Sequence, residues 1–400
     1  MSKKDDNISF NSYLLKQFLS AYKANKQFYW SEDEFEYLLR YCFDNNKLPM
    51  LHYAVTLALK YYPENADFHY YSGKYYMLTD KLPKALMHFK KFLFDDPEND
   101  FIVFEMCFCW EVIDDDEDAK KVLSEYLDKF NPSSAAAWFA LGTVYIKRDE
   151  VDNAIDAFEF SIALNPESIA TYYNLGNLYC IKQMYDKAYL VYYEALKYDD
   201  EDAGIYANLA ECCFYLDDCE KVIEYGNKAI SLDDATEYAY YFLAKVYLKD
   251  EKLKLASDFT EKAIKLNDQI SEFFSLKGYV EVCLENMEAA EDAFANAIKL
   301  DPTLFDCYFD IAIFYSQIDR HSDAIDILES NLAFFSDEDK IVAKYLLSAC
   351  NYMLGRKQEA YAQFLDIENI NPELFDFLYE NFSEFIGDQI IADFISEMQS

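Results

Sequence analysis

The sequence predicts an all-α fold in which antiparallel helix pairs follow one another along the chain. A pattern of apolar and small residues returns every 34 residues over most of the 400 residues. Prolines keep the same register, since Pro63 and Pro97 lie 34 residues apart. Pro166 and Pro302 lie 136 residues apart, which is four times 34. Because proline lacks an amide hydrogen and cannot sit inside a helix, this spacing marks the ends of repeated helical units.

The segment from 135 to 168 shows the repeated pattern most clearly. Its first predicted helix has four residues at i, i+3, i+4 and i+7, which share one face and have to be buried. Its second predicted helix has an alanine and a phenylalanine four residues apart, and a proline ends the unit. The glycine on the first helix lacks a Cβ, which allows the second helix to approach closely. These residues are Trp138, Leu141, Gly142, Tyr145, Ala154, Phe158 and Pro166.

This spacing resembles that of the tetratricopeptide repeat, W-x2-L-G-x2-Y…A-x3-F…P, and the resemblance extends from about Glu32 to Pro372. It implies a right-handed superhelical α-solenoid of about ten antiparallel helix pairs, with capping helices at both ends. It also implies a non-catalytic scaffold or adaptor that binds a peptide or helix of a partner protein in a concave groove. The repeats are expected near residues 32–65, 66–99, 100–134, 135–168, 169–202, 203–236, 237–270, 271–304, 305–340 and 341–372.

The pattern weakens at both ends and once in the middle. Residues 1–8 are predicted to be disordered, and residues 9–31 to form a helix that covers the first repeat. Residues 373–400 are predicted to form apolar helices that cap the last repeat. The alternative is that these helices mediate self-association, so that the chain is a self-assembling structural protein. In repeat six, Cys213 and Gly226 stand where aromatic residues are usual, which predicts a soft point in the stack.

The charge of the chain restricts the classes of partner. It has 36 Lys and Arg against 74 Asp and Glu, for a net charge of −38 at pH 7. This charge argues against nucleic acid and anionic membranes, because both are bound by neutralising phosphates with Lys and Arg. It favours protein segments that are apolar or basic. A polar amino terminus, without an apolar run near 18 residues anywhere, predicts a cytoplasmic location.

Catalysis and metal binding are not predicted. The sequence has no GxSxG, GxxxxGK[ST], HExxH or GxGxxG motif, and its ten cysteines lack paired zinc spacing. The acidic run from Asp114 to Asp118 lacks the central glycine of a calcium loop. His52, His69 and His88 lie in the first two repeats without a matched set of Cys or Asp. We therefore predict no enzymatic activity, no metal and no cofactor.

A second apolar side on the first helix of each repeat is the candidate binding site. It is formed by repeat positions 2, 5, 9, 12 and 13, which the family resemblance places on the concave groove. Aromatic residues are concentrated there, and a soluble protein rarely presents so many unless a partner docks on them. The alternative for each ring is that it packs sideways against the next repeat and never meets a ligand. Asn177, beside Tyr173, is a candidate to hydrogen-bond the backbone of an extended peptide. The predicted groove residues are Tyr70, Phe104, Phe108, Phe139, Tyr173, Asn177, Tyr215, Tyr238, Tyr241 and Tyr279.

Overall fold

The regular secondary structure of the chain is α-helical. A computed structural model describes residues 3–365, 383–387, 389 and 391–392, and within these ranges there are helices and no strands. The chain divides into two compact units, residues 1–200 and 201–400. In each unit, successive helices form antiparallel pairs. The core lies between the helices of a pair and between neighbouring pairs of the same unit.

The first unit contains an amino-terminal helix and five helix pairs. The helices are α1 (Lys3–Lys23), α2 (Glu32–Asp44), α3 (Leu48–Tyr61), α4 (Ala66–Leu78), α5 (Leu82–Asp95), α6 (Ile102–Ile113), α7 (Asp116–Lys129), α8 (Ala135–Lys147), α9 (Val151–Leu164), α10 (Ile169–Ile181) and α11 (Tyr185–Ala195). The even-numbered helices from α2 to α10 are the first helices of their pairs.

The second unit contains five further pairs and one short helix among its described residues. The helices are α12 (Ala203–Tyr215), α13 (Cys219–Leu232), α14 (Glu237–Lys249), α15 (Leu253–Leu266), α16 (Ser271–Cys283), α17 (Met287–Leu300), α18 (Phe305–Gln317), α19 (His321–Asn331), α20 (Asp337–Met353), α21 (Lys357–Leu365) and α22 (Ser383–Ile386). Here α12, α14, α16, α18 and α20 are the first helices of their pairs.

A residue in the left-handed region makes each turn between the two helices of a pair. In nine of the ten pairs this residue is Asn, Asp, Gln or Glu rather than glycine. Asn and Asp adopt this conformation more readily than other residues with a Cβ. For Gln and Glu, the clash between Cβ and the backbone makes it unfavourable. The turn residues are Asn46, Asp80, Asp114, Asp149, Gln183, Asp217, Glu251, Glu285 and Asp319, and the tenth turn uses Gly355.

Close contact between a glycine and a ring holds several pairs together. In the pair of α8 and α9, a Cβ added at Gly142 would lie 2.7 Å from Cε1 of Phe158. The ring therefore packs directly on the α8 backbone, and glycine is needed there because of this approach rather than for an unusual backbone conformation.

The sequence predicts loose packing at Gly226, but a side chain from the following pair fills the space there. Gly226 lies on α13, and a Cβ added there would lie 2.8 Å from Cγ of Leu243 on α14. Both residues are buried. The leucine occupies the space that an aromatic residue at position 226 would take.

The amino-terminal helix covers the first pair. Leu14 and Phe18 of α1 are buried, and the Phe18 ring lies 5.7 Å from Trp30, whose own ring lies 5.5 Å from Phe35 on α2. The helix begins at Lys3, inside residues 1–8, where the sequence predicts disorder. A helix fixed by the apolar contacts of its later turns extends backwards at little cost, because each added residue gains one hydrogen bond.

The carboxy-terminal end differs from the sequence expectation at the tenth pair. Helix α20 begins at Asp337 rather than near residue 341, because the Ser336 hydroxyl accepts a hydrogen bond from the backbone N–H of Asp339 at 3.1 Å and caps it. The sequence predicts capping helices over residues 373–400, and most of these residues lie outside the described part of the chain. Phe385 and Ile391 are buried, and the Phe385 ring lies 5.3 Å from Phe364 on α21.

Candidate functional site

In residues 1–200, the strongest candidate is a surface formed by Phe104, Phe108 and Phe139, which we call the α6–α8 surface. Phe104 and Phe108 are four residues apart on α6 and share one face of that helix. They are 55% and 54% exposed. Two large rings on one turn of a helix, with more than half of their area in water, form an exposed apolar patch.

Phe139 connects the exposed rings to the core. Its ring is half-buried, with its centroid 5.7 Å from that of Phe158 and 6.4 Å from that of Phe104. The rings of Phe104 and Phe139 both line two depressions, of about 330 and 340 Å³. The first depression is also lined by Trp110, Thr143 and Lys147, and the second by Asp100, Ala136, Ser161 and Asn165.

The other predicted residues of this unit contribute less open surface. Tyr70 is half-buried, and its ring packs 5.6 Å from Phe92. Burial raises the pKa of the Tyr70 hydroxyl. Tyr173 is half-buried, with its ring 6.3 Å from Tyr192. A ring from the second helix of the same pair therefore covers part of each of these two side chains.

Asn177 is exposed but already has one partner. Its Oδ1 accepts a hydrogen bond of 2.5 Å from the Tyr192 hydroxyl. The amide Nδ2 has no hydrogen-bond partner within the described part of the chain. The side chain is therefore held in one orientation and presents a donor, not an acceptor, to an incoming backbone.

In residues 201–400, the predicted rings lie on α12, α14 and α16. Tyr215, Tyr238 and Tyr279 are exposed, whereas Tyr241 is half-buried. The Tyr241 ring lies 5.1 Å from Phe273, and burial raises the pKa of its hydroxyl. We call the patch formed by Tyr238, Tyr241 and Tyr279 the α14–α16 surface.

A lysine that the sequence analysis did not identify lies among these rings. The Lys245 ammonium is 4.4 Å from the ring centroid of Phe214 and 5.2 Å from that of Tyr241. Tyr215 and Phe242 lie at 5.8 and 6.0 Å. Burial lowers the pKa of Lys245, and it raises the pKa of the nearby Glu211 carboxyl. Ring faces attract cations electrostatically, so the ammonium is held by cation–π contacts.

Beside this lysine is a depression of about 360 Å³ that contains both rings and charges. It is lined by Tyr241, Lys245, Glu272, Ser275, Leu276, Tyr279, Leu304, Phe309 and Asp310. The Tyr279 hydroxyl donates a hydrogen bond to the Asp310 carboxylate, and the Ser275 hydroxyl lies 3.5 Å from the same group. Lys245, Glu272 and Ser275 stand at repeat positions 9, 2 and 5, so they could have been found by searching the groove positions for polar residues as well as for rings.

Groups of potential metal ligands and long apolar helices are two further features to look for in the described part of the chain. Within those residues, no three His, Cys, Asp or Glu side chains come together in a group that could hold a metal ion. No helix among them is both long and apolar enough to cross a bilayer.

Comparison with known proteins agrees with this architecture. Models of the tetratricopeptide repeat match residues 117–169 and 237–270. No curated protein matches the chain. The solved structure of the APC/C hetero-tetramer Cut9–Hcn1 is similar with a TM-score of 0.53 and 18% identity, over 79% of this chain and 62% of that chain. This chain therefore spans less than two thirds of that relative.

Two further solved structures show a weaker likeness. A tetratricopeptide repeat protein from Parabacteroides merdae has a TM-score of 0.49 and 17% identity, over 62% of this chain and 98% of that one. YrrB, described as a tetratricopeptide repeat protein with an unusual peptide-binding site, has a TM-score of 0.36 and 18% identity, over 46% of this chain and 95% of that one.

The fold and the repeated helix pairs define an α-solenoid. Tetratricopeptide repeats are identified at residues 117–169 and 237–270 of the chain.

Proposed function

We propose that the chain binds an apolar segment of a partner protein, a peptide or a helix, on its aromatic surfaces. The observation that carries this proposal is the pair of exposed rings of Phe104 and Phe108 on one face of α6. The depressions lined by Phe104 and Phe139 supply places where apolar side chains of the segment would insert. Aromatic anchors beside pockets are typical of the residues that dominate binding energy at protein interfaces.

The apolar area of the rings contributes part of the free energy of binding. Burying three rings completely would contribute at most roughly 5–9 kcal/mol before the cost of ordering the segment. Because lost translational and rotational freedom costs about 4 kcal/mol or more, further contacts along the segment have to add to this contribution. The predicted residues Tyr70, Tyr173 and Asn177 would then add contacts at the margin of the α6–α8 surface, and Tyr215, Tyr238, Tyr241 and Tyr279 would serve in the second unit.

Selection from a random peptide library tests this function. Full-length protein is used to select from a phage-displayed dodecapeptide library, in parallel with a Phe104→Ser/Phe108→Ser variant. Peptides enriched in aromatic and aliphatic residues are expected from the parent protein, and loss of most of this enrichment is expected from the variant.

A matched control removes exposed apolar area elsewhere in the same unit. Met87 on α5 and Leu190 on α11 are 59% and 65% exposed, and both lie on second helices. A Met87→Ser/Leu190→Ser variant is expected to select the same peptides as the parent. If the two double variants select equally well, the α6–α8 surface is not the binding site.

A further inference from the structure

The depression beside Lys245 combines the groups that recognise an organic cation. Tyr241 and Tyr279 line it with ring surface, Leu276 adds an aliphatic wall, and Glu272 and Asp310 add carboxylates. Ring faces attract cations, and carboxylates form the strongest hydrogen bonds when the donor is charged. Long basic side chains bury their methylene stems against apolar surface while the charged head stays with polar groups.

The same surface already holds one ammonium group of the protein itself. Lys245 lies over the Phe214 and Tyr241 rings at 4.4 and 5.2 Å from their centroids. Within the described part of the chain, no carboxylate oxygen lies within ion-pair distance of its Nζ. The rings of α12 and α14, with the nearby Glu211 carboxylate, are therefore placed for binding a cationic side chain, which is an observation independent of Glu272 and Asp310.

The balance of charge in the depression favours a second cation. Its lining carries two carboxylates, Glu272 and Asp310, and one ammonium, Lys245, which leaves one negative charge. Glu272 is exposed and makes no ion pair with Lys or Arg among the described residues, and its carboxylate accepts a hydrogen bond of 3.0 Å from the Ser271 hydroxyl. The net charge of −38 on the chain adds a long-range attraction for basic segments.

A metal ion fits this depression less well than a side chain does. Calcium takes six to eight oxygen ligands, whereas the lining here offers two carboxylates surrounded by Leu276, Leu304 and Phe309. A volume of about 360 Å³ lies at the small end of ligand pockets, which corresponds to one or two side chains.

We propose that this depression binds a lysine or arginine side chain of the partner segment, with the cationic group at Glu272 and Asp310 and the stem against Tyr241, Tyr279 and Leu276. The inference rests on the proposed function, because the cation belongs to the bound segment. It adds a specific requirement to that function: the segment carries a basic residue as well as apolar ones.

The test compares peptides selected by the parent protein with those selected by a Glu272→Gln/Asp310→Asn variant. The control variant, Glu288→Gln/Asp292→Asn, removes the same two charges from the exposed side of α17. We expect Lys and Arg to be enriched several-fold in peptides from the parent and the control, and this enrichment to be lost with the variant. For one selected basic peptide labelled with fluorescein, anisotropy is expected to show binding about tenfold weaker to the variant and unchanged to the control.

Each other outcome has a defined meaning. Apolar enrichment without basic residues would overturn this inference and leave the proposed function standing. Equal loss of basic enrichment in both charge variants would also overturn it, because the attraction would then come from overall charge. A failure of the parent protein to select any peptide above background would overturn the proposed function, and the inference with it.

Discussion

The backbone of Gly73 and the ring of Phe89 are in direct contact, so that a Cβ added at Gly73 would lie 2.2 Å from Cε1 of Phe89. The two residues face each other across the α4–α5 pair, and the ring is fully buried. The same contact joins Gly176 to Tyr192 and Gly278 to Phe294. It fixes how closely the two helices of a pair approach.

Replacing Gly73 with alanine tests this contact. Alanine gains about 1 kcal/mol of helix propensity over glycine, so in an open position it would stabilise the helix. Here the added methyl group forces the Phe89 ring to move, and overpacking of this kind costs roughly 1–3 kcal/mol. We expect Gly73→Ala to lower the free energy of unfolding in urea, and a Gly73→Ala/Phe89→Leu double variant to recover part of the loss. Stabilisation by the single substitution would contradict the packing described here.

The glycine–ring contact also shows how far the sequence predicts the fold. The 16-residue separation of Gly142 and Phe158, within a pattern that returns every 34 residues, predicts the helix pairs and the face that each helix buries. The expectation at Gly226 did not take account of Leu243 on the next helix, whose side chain fills the space that a ring at position 226 would take.

The left-handed conformation of the turn residues was not predicted, because it usually shows in a sequence as glycine and most of these turns have none. Gln183 has a φ of 56°, and neither glycine nor proline stands beside it. A residue with a Cβ in this region costs about 1–2 kcal/mol, and the repeat tolerates the penalty because both flanking helices fix the turn.

Replacing Gln183 with glycine tests the strain in this turn. The Gln183 side chain is exposed, so the substitution removes no packed contact. We expect a net stabilisation of about 0.5–1 kcal/mol, because the relief of strain exceeds the additional entropy that glycine gives the unfolded chain. Thermal unfolding followed by circular dichroism measures this, with Gln183→Asn expected to lie between the parent and the glycine variant. A lower midpoint for Gln183→Gly would show that the turn is unstrained.

The pair of His69 and His88 makes the stability of the first unit depend on pH. Their Nδ1 atoms lie 2.8 Å apart, and His69 Nε2 lies 2.9 Å from the Pro63 carbonyl oxygen. A carbonyl only accepts, so Nε2–H of His69 donates to it, and Nδ1–H of His88 then donates to the neutral Nδ1 of His69. Burial is the main cause that lowers the pKa of both rings, and Lys91 lowers both as well; together with the effect of His69, this brings the pKa of His88 to about 4.

Because the pKa of His88 in the folded state is below its ordinary value of 6.5, the unfolded chain binds the proton first as the pH falls. The stability provided by the neutral ring is present above pH 6.5 and is lost as the pH falls from there towards 4. After allowance for solvent screening of a half-buried ring, this loss is roughly 1–2 kcal/mol. A His88→Asn variant keeps a donor but cannot titrate, so its stability relative to the parent is expected to rise between pH 7 and pH 5. A difference that stays constant over this range would rule out the histidine pair as the cause, since all carboxylates are common to both proteins.

Removing the Lys245 charge also tests the cation site. It is expected to strengthen binding of a basic peptide, whereas the carboxylate variants are expected to weaken it. Lys245 lines the same depression and repels a second cation there. We expect Lys245→Met to bind a selected basic peptide a few-fold more tightly than the parent, as measured by fluorescence anisotropy. A weaker affinity would mean that the lysine contacts the peptide or holds the rings in place, rather than opposing the incoming charge.

The candidate surfaces were predicted only in part, because exposure of a groove ring depends on its neighbour in the next pair. Phe104 is exposed, whereas Phe273 covers much of Tyr241. The repeat positions are equivalent, so the sequence pattern alone did not distinguish these two rings. Lys245 and Glu272 stand at the same groove positions as the rings, but a pattern of apolar residues does not identify charged ones.

Hydrogen–deuterium exchange of the full chain, with and without a selected apolar peptide, tests the central claim most directly. If the segment docks on the α6–α8 surface, the amides of α6 and α8 are expected to exchange more slowly in the complex, while those of the second helices α5 and α9 change little. Protection confined to second helices, or absent from α6 and α8 at saturating peptide, would contradict the account.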